Sequence, residues 1–213
     1  MQEMDKKRNR LRQETIIKSL GQRNIEAFFA DTKEEALKIA LELIPEGSTV
    51  SNGGATSARE IGLIDAVIEG NYNYLDRDGA KDPTEKRRLE LETLSNCDYF
   101  IAGVNGMSEN GVIVNVDGNA NRVAAICYGP KHVLFIVGMN KVVHSEEDAY
   151  NRAKYIAAPI NAQRFGLSTP CGITGKCGEC LMEQCICCQI VTTRYSKHKD
   201  RIKVILVNED LGF

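Results

Sequence analysis

The sequence predicts an α/β fold with a mostly parallel sheet flanked by helices, and three observations carry that reading. Strand-like apolar runs alternate with helical patterns through the first hundred residues. The run Arg201 to Val207 is apolar throughout its interior, as in a strand buried on both faces. The chain has 213 residues, 43% hydrophobic and 26% charged, which suits a single domain with a sizeable core.

Residues 5–20 are predicted helical, with Leu11, Thr15 and Leu20 on one side and charges elsewhere. A strand over 25–29 follows Gly21. Asp31 or Thr32 then caps a helix through Ala36, Leu37, Ala40, Leu41 and Ile44, ended by Pro45 and Gly47. Next come a strand over 48–51, a loop over 52–57 and a helix over 58–68. A strand at 72–75, a charged helix at 83–94 and a strand at 99–102 continue the alternation.

The rhythm changes after Gly103. Residues 111–116, 122–128 and 132–137 read as apolar runs, with Asp117-Gly118-Asn119 as a hairpin turn and Gly129-Pro130 as a second break. Ser145, with Asp148 three residues on, caps a helix reaching about Arg164. Pro159 is expected to end or kink it near Ala158. Residues 168–190 read as an irregular Cys-rich insertion, because the buried last strand lies beyond them.

Composition excludes several functions. Net charge is −2, so no basic field exists for nucleic acid. Trp is absent and aromatics total 6%, too few for base-stacking platforms. No stretch approaches the roughly 18 apolar residues of a membrane span. The N-terminus has basic residues with no apolar segment behind them, so the expected compartment is the cytoplasm.

Six of the eight cysteines fall between Cys171 and Cys188, spaced C-x5-C-x2-C-x4-C-x-C-C. In a reducing compartment such crowding points to thiolate ligands rather than disulfides. A [4Fe–4S] cluster is the expected cofactor, with zinc as the alternative. Cys97 and Cys127, in predicted apolar strands, are expected to be buried core thiols.

Two other motifs carry chemistry. Asn52-Gly53-Gly54-Ala55-Thr56-Ser57 joins a strand to a helix, where glycines admit close approach and free N–H groups attract an anion. It matches neither the dinucleotide fingerprint nor a P-loop. In Ser108-Glu109-Asn110-Gly111, a carboxylate sits on a glycine-bounded turn as a candidate nucleophile or base. Arg122 and Lys141, each beside a turn, are candidates to meet an anionic ligand.

Taken together, the residues resemble a known family. Asn52 to Ser57 with Glu60-Ile61-Gly62-Leu63, then Asn115 to Arg122, Gly129-Pro130-Lys131, Gly138 to Lys141 and Ile205 to Phe213 are similar, in order, to the motifs of the lactate-utilisation (LUD) domain family. The resemblance implies a fold like that of the ribose-phosphate isomerase and CoA-transferase superfamily. It also implies iron–sulfur redox proteins of a lactate oxidation system as partners. A cysteine-bearing branch resembles T-P-C-x5-C-x2-C-x6-C, which makes Cys171, Cys177, Cys180 and Cys187 the preferred ligands. Cys185 stands where an arginine is usual, and it and Cys188 are potential substitutes. Ser108 to Gly111 also looks like the S-E-N-G element of class I CoA transferases, whose glutamate forms a thioester.

The expectation is therefore a protein of lactate or 2-hydroxy-acid utilisation with a cluster and a pocket for a small organic acid or phosphate-bearing ligand. Asn52, Gly53, Gly54, Thr56, Ser57, Asn110, Gly111, Arg122 and Lys141 would bind that ligand, with Glu109 as the catalytic group. The alternatives are an acyl or CoA transferase using Glu109 as nucleophile, and a non-enzymatic cluster-based sensor or assembly protein. Nothing in the sequence fixes the oligomeric state.

Overall fold

A computed structural model describes residues 1–213. In chain order the elements are α1 (Glu3–Gln22), β1 (Glu26–Ala30), α2 (Lys33–Leu43), β2 (Thr49–Gly53), α3 (Thr56–Glu60), α4 (Leu63–Glu69), β3 (Asn73–Tyr74), α5 (Pro83–Asn96) and β4 (Tyr99–Ala102). They continue with β5 (Gly106–Ser108), β6 (Ile113–Asp117), α6 (Asn121–Cys127), β7 (His132–Gly138), β8 (Val142–Val143), α7 (Glu146–Arg152), α8 (Ala158–Arg164), α9 (Pro170–Thr174), β9 (Gln189–Thr193) and β10 (Ile202–Val207).

Six strands form a parallel sheet in the order β1-β10-β7-β4-β2-β3. Helices cover both faces, so the central strands have no polar side to show. Along β7, Val133, Phe135 and Val137 pack with Ile16 and Leu20 of α1, while Leu134 and Ile136 pack with Ala36 and Ala40 of α2. Along β10, Val204 and Leu206 take the first face, Ile205 and Val207 the second. This is the period of two, with both sets apolar.

A second sheet, β8-β5-β6-β9, is mixed: β6 runs antiparallel to β5 and β9, and β8 parallel to β5. Only β6 of these is evident in the sequence. The sequence places the Cys-rich segment directly before the last strand, whereas β9 intervenes and pairs with β6.

Four further local expectations meet the structure differently. Residues 122–128 form a helix rather than a strand, and Cys127 at its end is exposed rather than buried. Cys97 is buried as expected, at the end of α5. The helix over 58–68 is split into α3 and α4 by Gly62 at φ +77°, a conformation that costs other residues a steric penalty. Pro159 does not end its helix: a π-helical turn over Ala153–Ala157 precedes it, and α8 continues to Arg164. The wider turn takes the proline ring without breaking the rod.

Candidate functional site

In open α/β sheets ligands bind beyond the carboxyl ends of the strands, where loops and helix starts converge. Here four parallel strands and one strand of the second sheet deliver residues to one cavity of about 310 Å³. Gly54 follows β2, Gly103 to Asn105 follow β4, Lys141 follows β7 and Phe213 lies beyond β10. Val116, Asp117 and Gly118 close the end of β6, and Asn161, Arg164 and Phe165 come from the end of α8.

Arg122 is the best-held cation of this cavity. It lies in the first turn of α6, where Ala120 turns the chain through a left-handed conformation (φ 62°) so that the helix starts against the cavity. Its Nε donates to Asp117 Oδ2 at 3.2 Å and its Nη2 to Asn105 Oδ1 at 3.1 Å and to the Val116 carbonyl. Nη1 has no protein partner, and a Cβ on Gly54 would lie 3.7 Å from it. Burial lowers the guanidinium from its usual value, opposed by the Asp117 carboxylate. At Gly53 a Cβ would come 2.5 Å from Phe100 Cζ and 3.0 Å from Arg122 Cγ, so the loop's first glycine lets this arginine lie against the strand.

Lys141 lines the same cavity and is 4% exposed. Its Nζ donates to Ser57 Oγ at 3.0 Å and forms no ion pair. Burial brings the ammonium down to about 7, reinforced by the positive charges of Arg152 and Arg122 and opposed by Glu60. Arg152, from the end of α7, donates to the carbonyls of Asn140 and Asn105 and so ties together two of the loops that form the cavity. Asn140 Oδ1 in turn accepts from Leu211 N at 3.1 Å, fixing the C-terminal residues over the same edge.

Of the residues expected to bind an anion, the structure brings Gly54, Thr56, Arg122 and Lys141 to this cavity, with Ser57 behind Lys141. Gly53 supports the wall, and Asn52 is buried in β2, accepting from the Tyr74 hydroxyl at 2.7 Å. Glu109, Asn110 and Gly111 do not reach it. The Glu109 carboxylate pairs with Arg12 of α1 at 2.6 Å and faces His144 at 3.7 Å, in a separate surface groove. Strand β5 carries it away: the β5–β6 hairpin turns at these residues, at the end remote from Asp117. The expected single pocket joining Glu109 to the glycine loop and Lys141 is thus two places. Arg77, Asn105, Arg164 and Phe213 line the cavity without standing out in the sequence.

The LUD domain family model matches residues 13–207, most of the chain. The chain belongs to the LUD domain family. Among curated proteins none matches it significantly. The LUD chain is similar in fold to a DUF162 family protein from Deinococcus radiodurans, with a TM-score of 0.53 at 12% identity, covering 94% of this chain and 98% of that one. Weaker likenesses are to eIF2B delta from Chaetomium thermophilum (TM-score 0.37, 16% identity, 57% and 54% covered) and to a variant of the decarboxylase AibA/AibB (TM-score 0.37, 13% identity, 49% and 58% covered).

The cysteine-rich segment of this LUD domain corrects the expected cofactor. No group of three or more His, Cys, Asp or Glu side chains is arranged to hold a metal ion. The expected cluster or zinc at Cys171, Cys177, Cys180 and Cys187, with Cys185 or Cys188 as substitutes, is therefore not supported. Five of these thiols border one apolar cleft of only about 10 Å³ with Pro159 and Ile186. Several of their sulfurs are instead engaged in hydrogen bonds. Cys171 Sγ lies 3.3 Å from Thr169 Oγ1, Cys185 Sγ 3.3 Å from Cys187 Sγ, and Cys188 Sγ donates to the Cys185 carbonyl at 3.2 Å. Burial, with the bond to Cys185, pushes the Cys187 thiol up to about 12. The segment's visible work is structural. Ile186 lines the main cavity, and its backbone packs so closely on Gly118 that a Cβ there would lie 3.1 Å from Ile186 Cα.

No helix is long and apolar enough to cross a membrane.

Proposed function

We propose that this LUD-domain protein binds a small organic acid or phosphate-bearing anion at the carboxyl edge of its parallel sheet, in cytoplasmic use of lactate or a related 2-hydroxy acid. One observation carries the reading: Lys141 is buried on the cavity wall without an ion-pair partner, facing the same space as the partner-free Nη1 of Arg122. A buried ammonium lacking a counter-charge is costly, and an anion in the cavity supplies one. Arg164 and Arg77 add positive field, while Asn105, Asn119 and Asn161 offer donors and acceptors for hydroxyl groups.

Family membership directs the choice of acid toward lactate. Oxidation of a 2-hydroxy acid releases two electrons, and in this reading iron–sulfur partner proteins of the oxidation system accept them. The kinship implied by the sequence, to the ribose-phosphate isomerase and CoA-transferase superfamily, belongs to the same proposal. Calorimetric titration with L-lactate, pyruvate and phosphate tests it. At least one is expected to bind with millimolar or better affinity and to lose tenfold or more in Lys141→Met. Absence of binding by all three, with the protein folded, would reject the reading.

A further inference from the structure

Lys141 has the surroundings of a nucleophilic amine as well as those of a counter-charge. A lysine becomes a nucleophile when burial and neighbouring cations hold part of it neutral and when its nitrogen faces an open space. Here Nζ is held by a single hydroxyl, Ser57 Oγ at 3.0 Å, and no carboxylate pairs with it to lock in the charge. Arg152 and Arg122 lie near enough to disfavour the ammonium, and Glu60 opposes them only in part. Two glycines keep the nitrogen uncovered: a Cβ on Gly212 would lie 3.0 Å from Nζ, and one on Gly103 would lie 3.9 Å away. Arg122 lines the same cavity, with Nη1 free of protein partners.

We propose that Lys141 forms an imine with a small carbonyl compound that also carries a carboxylate or phosphate, the anionic group being held on the Arg122 side of the cavity. This rests on the anion-binding reading above and names the ligand class more narrowly. The neutral amine's lone pair attacks the carbonyl carbon. The N–C bond forms as the C=O π bond breaks, and a proton passes from nitrogen to oxygen to give a carbinolamine. A second proton, drawn from solvent, lets the hydroxyl leave as water and leaves an iminium on Nζ. Nothing is oxidised or reduced. Ser57, within hydrogen-bond distance of Nζ, is a positioning residue for the amine.

The test uses the full-length protein with pyruvate, with glyceraldehyde 3-phosphate and with neutral acetone, each under cyanoborohydride, followed by peptide mapping by mass spectrometry. The expected result is a reduced adduct on Lys141 from one or both anionic carbonyls, formed at least tenfold faster than on any exposed lysine and than with acetone. Pyruvate alone reacting would identify a carboxylate ligand, and glyceraldehyde 3-phosphate alone a phosphate; either supports the inference. Excess phosphate or L-lactate is expected to slow labelling. Because the adduct is mapped on the wild-type chain, the outcome does not depend on a variant folding, and Lys141→Met serves only to confirm the assignment. Adducts spread over surface lysines, or none at Lys141, would overturn the proposal. If L-lactate or phosphate still bound in that case, Lys141 would be a counter-charge and the anion-binding reading would stand. If neither bound, both would fall.

Discussion

The carboxyl-edge cavity and the cysteine-rich segment invert each other. In the segment, six chemically rich side chains crowd within eighteen residues of sequence, yet no three of them converge as ligands. In the cavity, residues spread from Gly54 to Phe213 meet in one small space. Density along the chain and density in space are different quantities. A parallel sheet creates the second, because each strand delivers its following loop to the same edge whatever the sequence distance between them.

The largest effect that would test this contrast is at Arg122. Its guanidinium satisfies Asp117, Asn105 and the Val116 carbonyl, and removing it leaves the buried Asp117 Oδ2 without its charge partner, Oδ1 keeping the Asn119 and Ala120 amides. Arg122→Met is expected to lower stability by about 3–5 kcal/mol and to abolish anion binding, as read by denaturant unfolding and titration. A small loss would mean that the pair is not what shapes the cavity.

Lys141 should reveal itself through pH. Its folded value of about 7 lies below the ordinary 10.5, so between those values the unfolded chain binds a proton that the folded chain does not. Wild-type stability should therefore rise relative to Lys141→Met from pH 7 to pH 10, by on the order of a few kcal/mol, and this gain is lost again as pH falls from 10 to 7, below which the difference levels off. Parallel stability curves for the two proteins would contradict the buried, unpaired amine.

Gly53→Ala should cost about 1–3 kcal/mol in urea unfolding, because its Cβ would meet Phe100 Cζ at 2.5 Å in the sheet. The smallest effect belongs to the other region. Cys171→Ser combined with Cys177→Ser is expected to change stability by less than about 1 kcal/mol and to leave anion affinity unaltered. A collapse of the fold on that double substitution would restore a central role to the cysteines.

What is legible in the sequence follows the same division. Strands β4, β7 and β10 stand out because both faces are buried, and helix α2 because a cap residue, Thr32, precedes its apolar period. Helix α6 reads as a strand because Val123, Ala124, Ala125 and Ile126 form an unbroken apolar run, and a short run has no period to read. Strands β5 and β8 have three and two residues, too few for any pattern. Gly54, Thr56, Arg122 and Lys141 are legible because each flanks a turn at a strand end. Arg164 and Arg152 carry no such mark, since one helical arginine in sequence looks like any other. Glu109 groups with the cavity in sequence because a local motif does not say which end of a hairpin it occupies.

The central claim is that a buried, largely neutral Lys141 gains its charge when an anion enters. Calorimetric titration of phosphate or L-lactate at pH 8, in buffers of different ionisation heat, measures that directly. The account expects uptake approaching one proton per anion bound by the wild-type chain and none by Lys141→Met. Binding without proton uptake, or equal uptake by the variant, would contradict it.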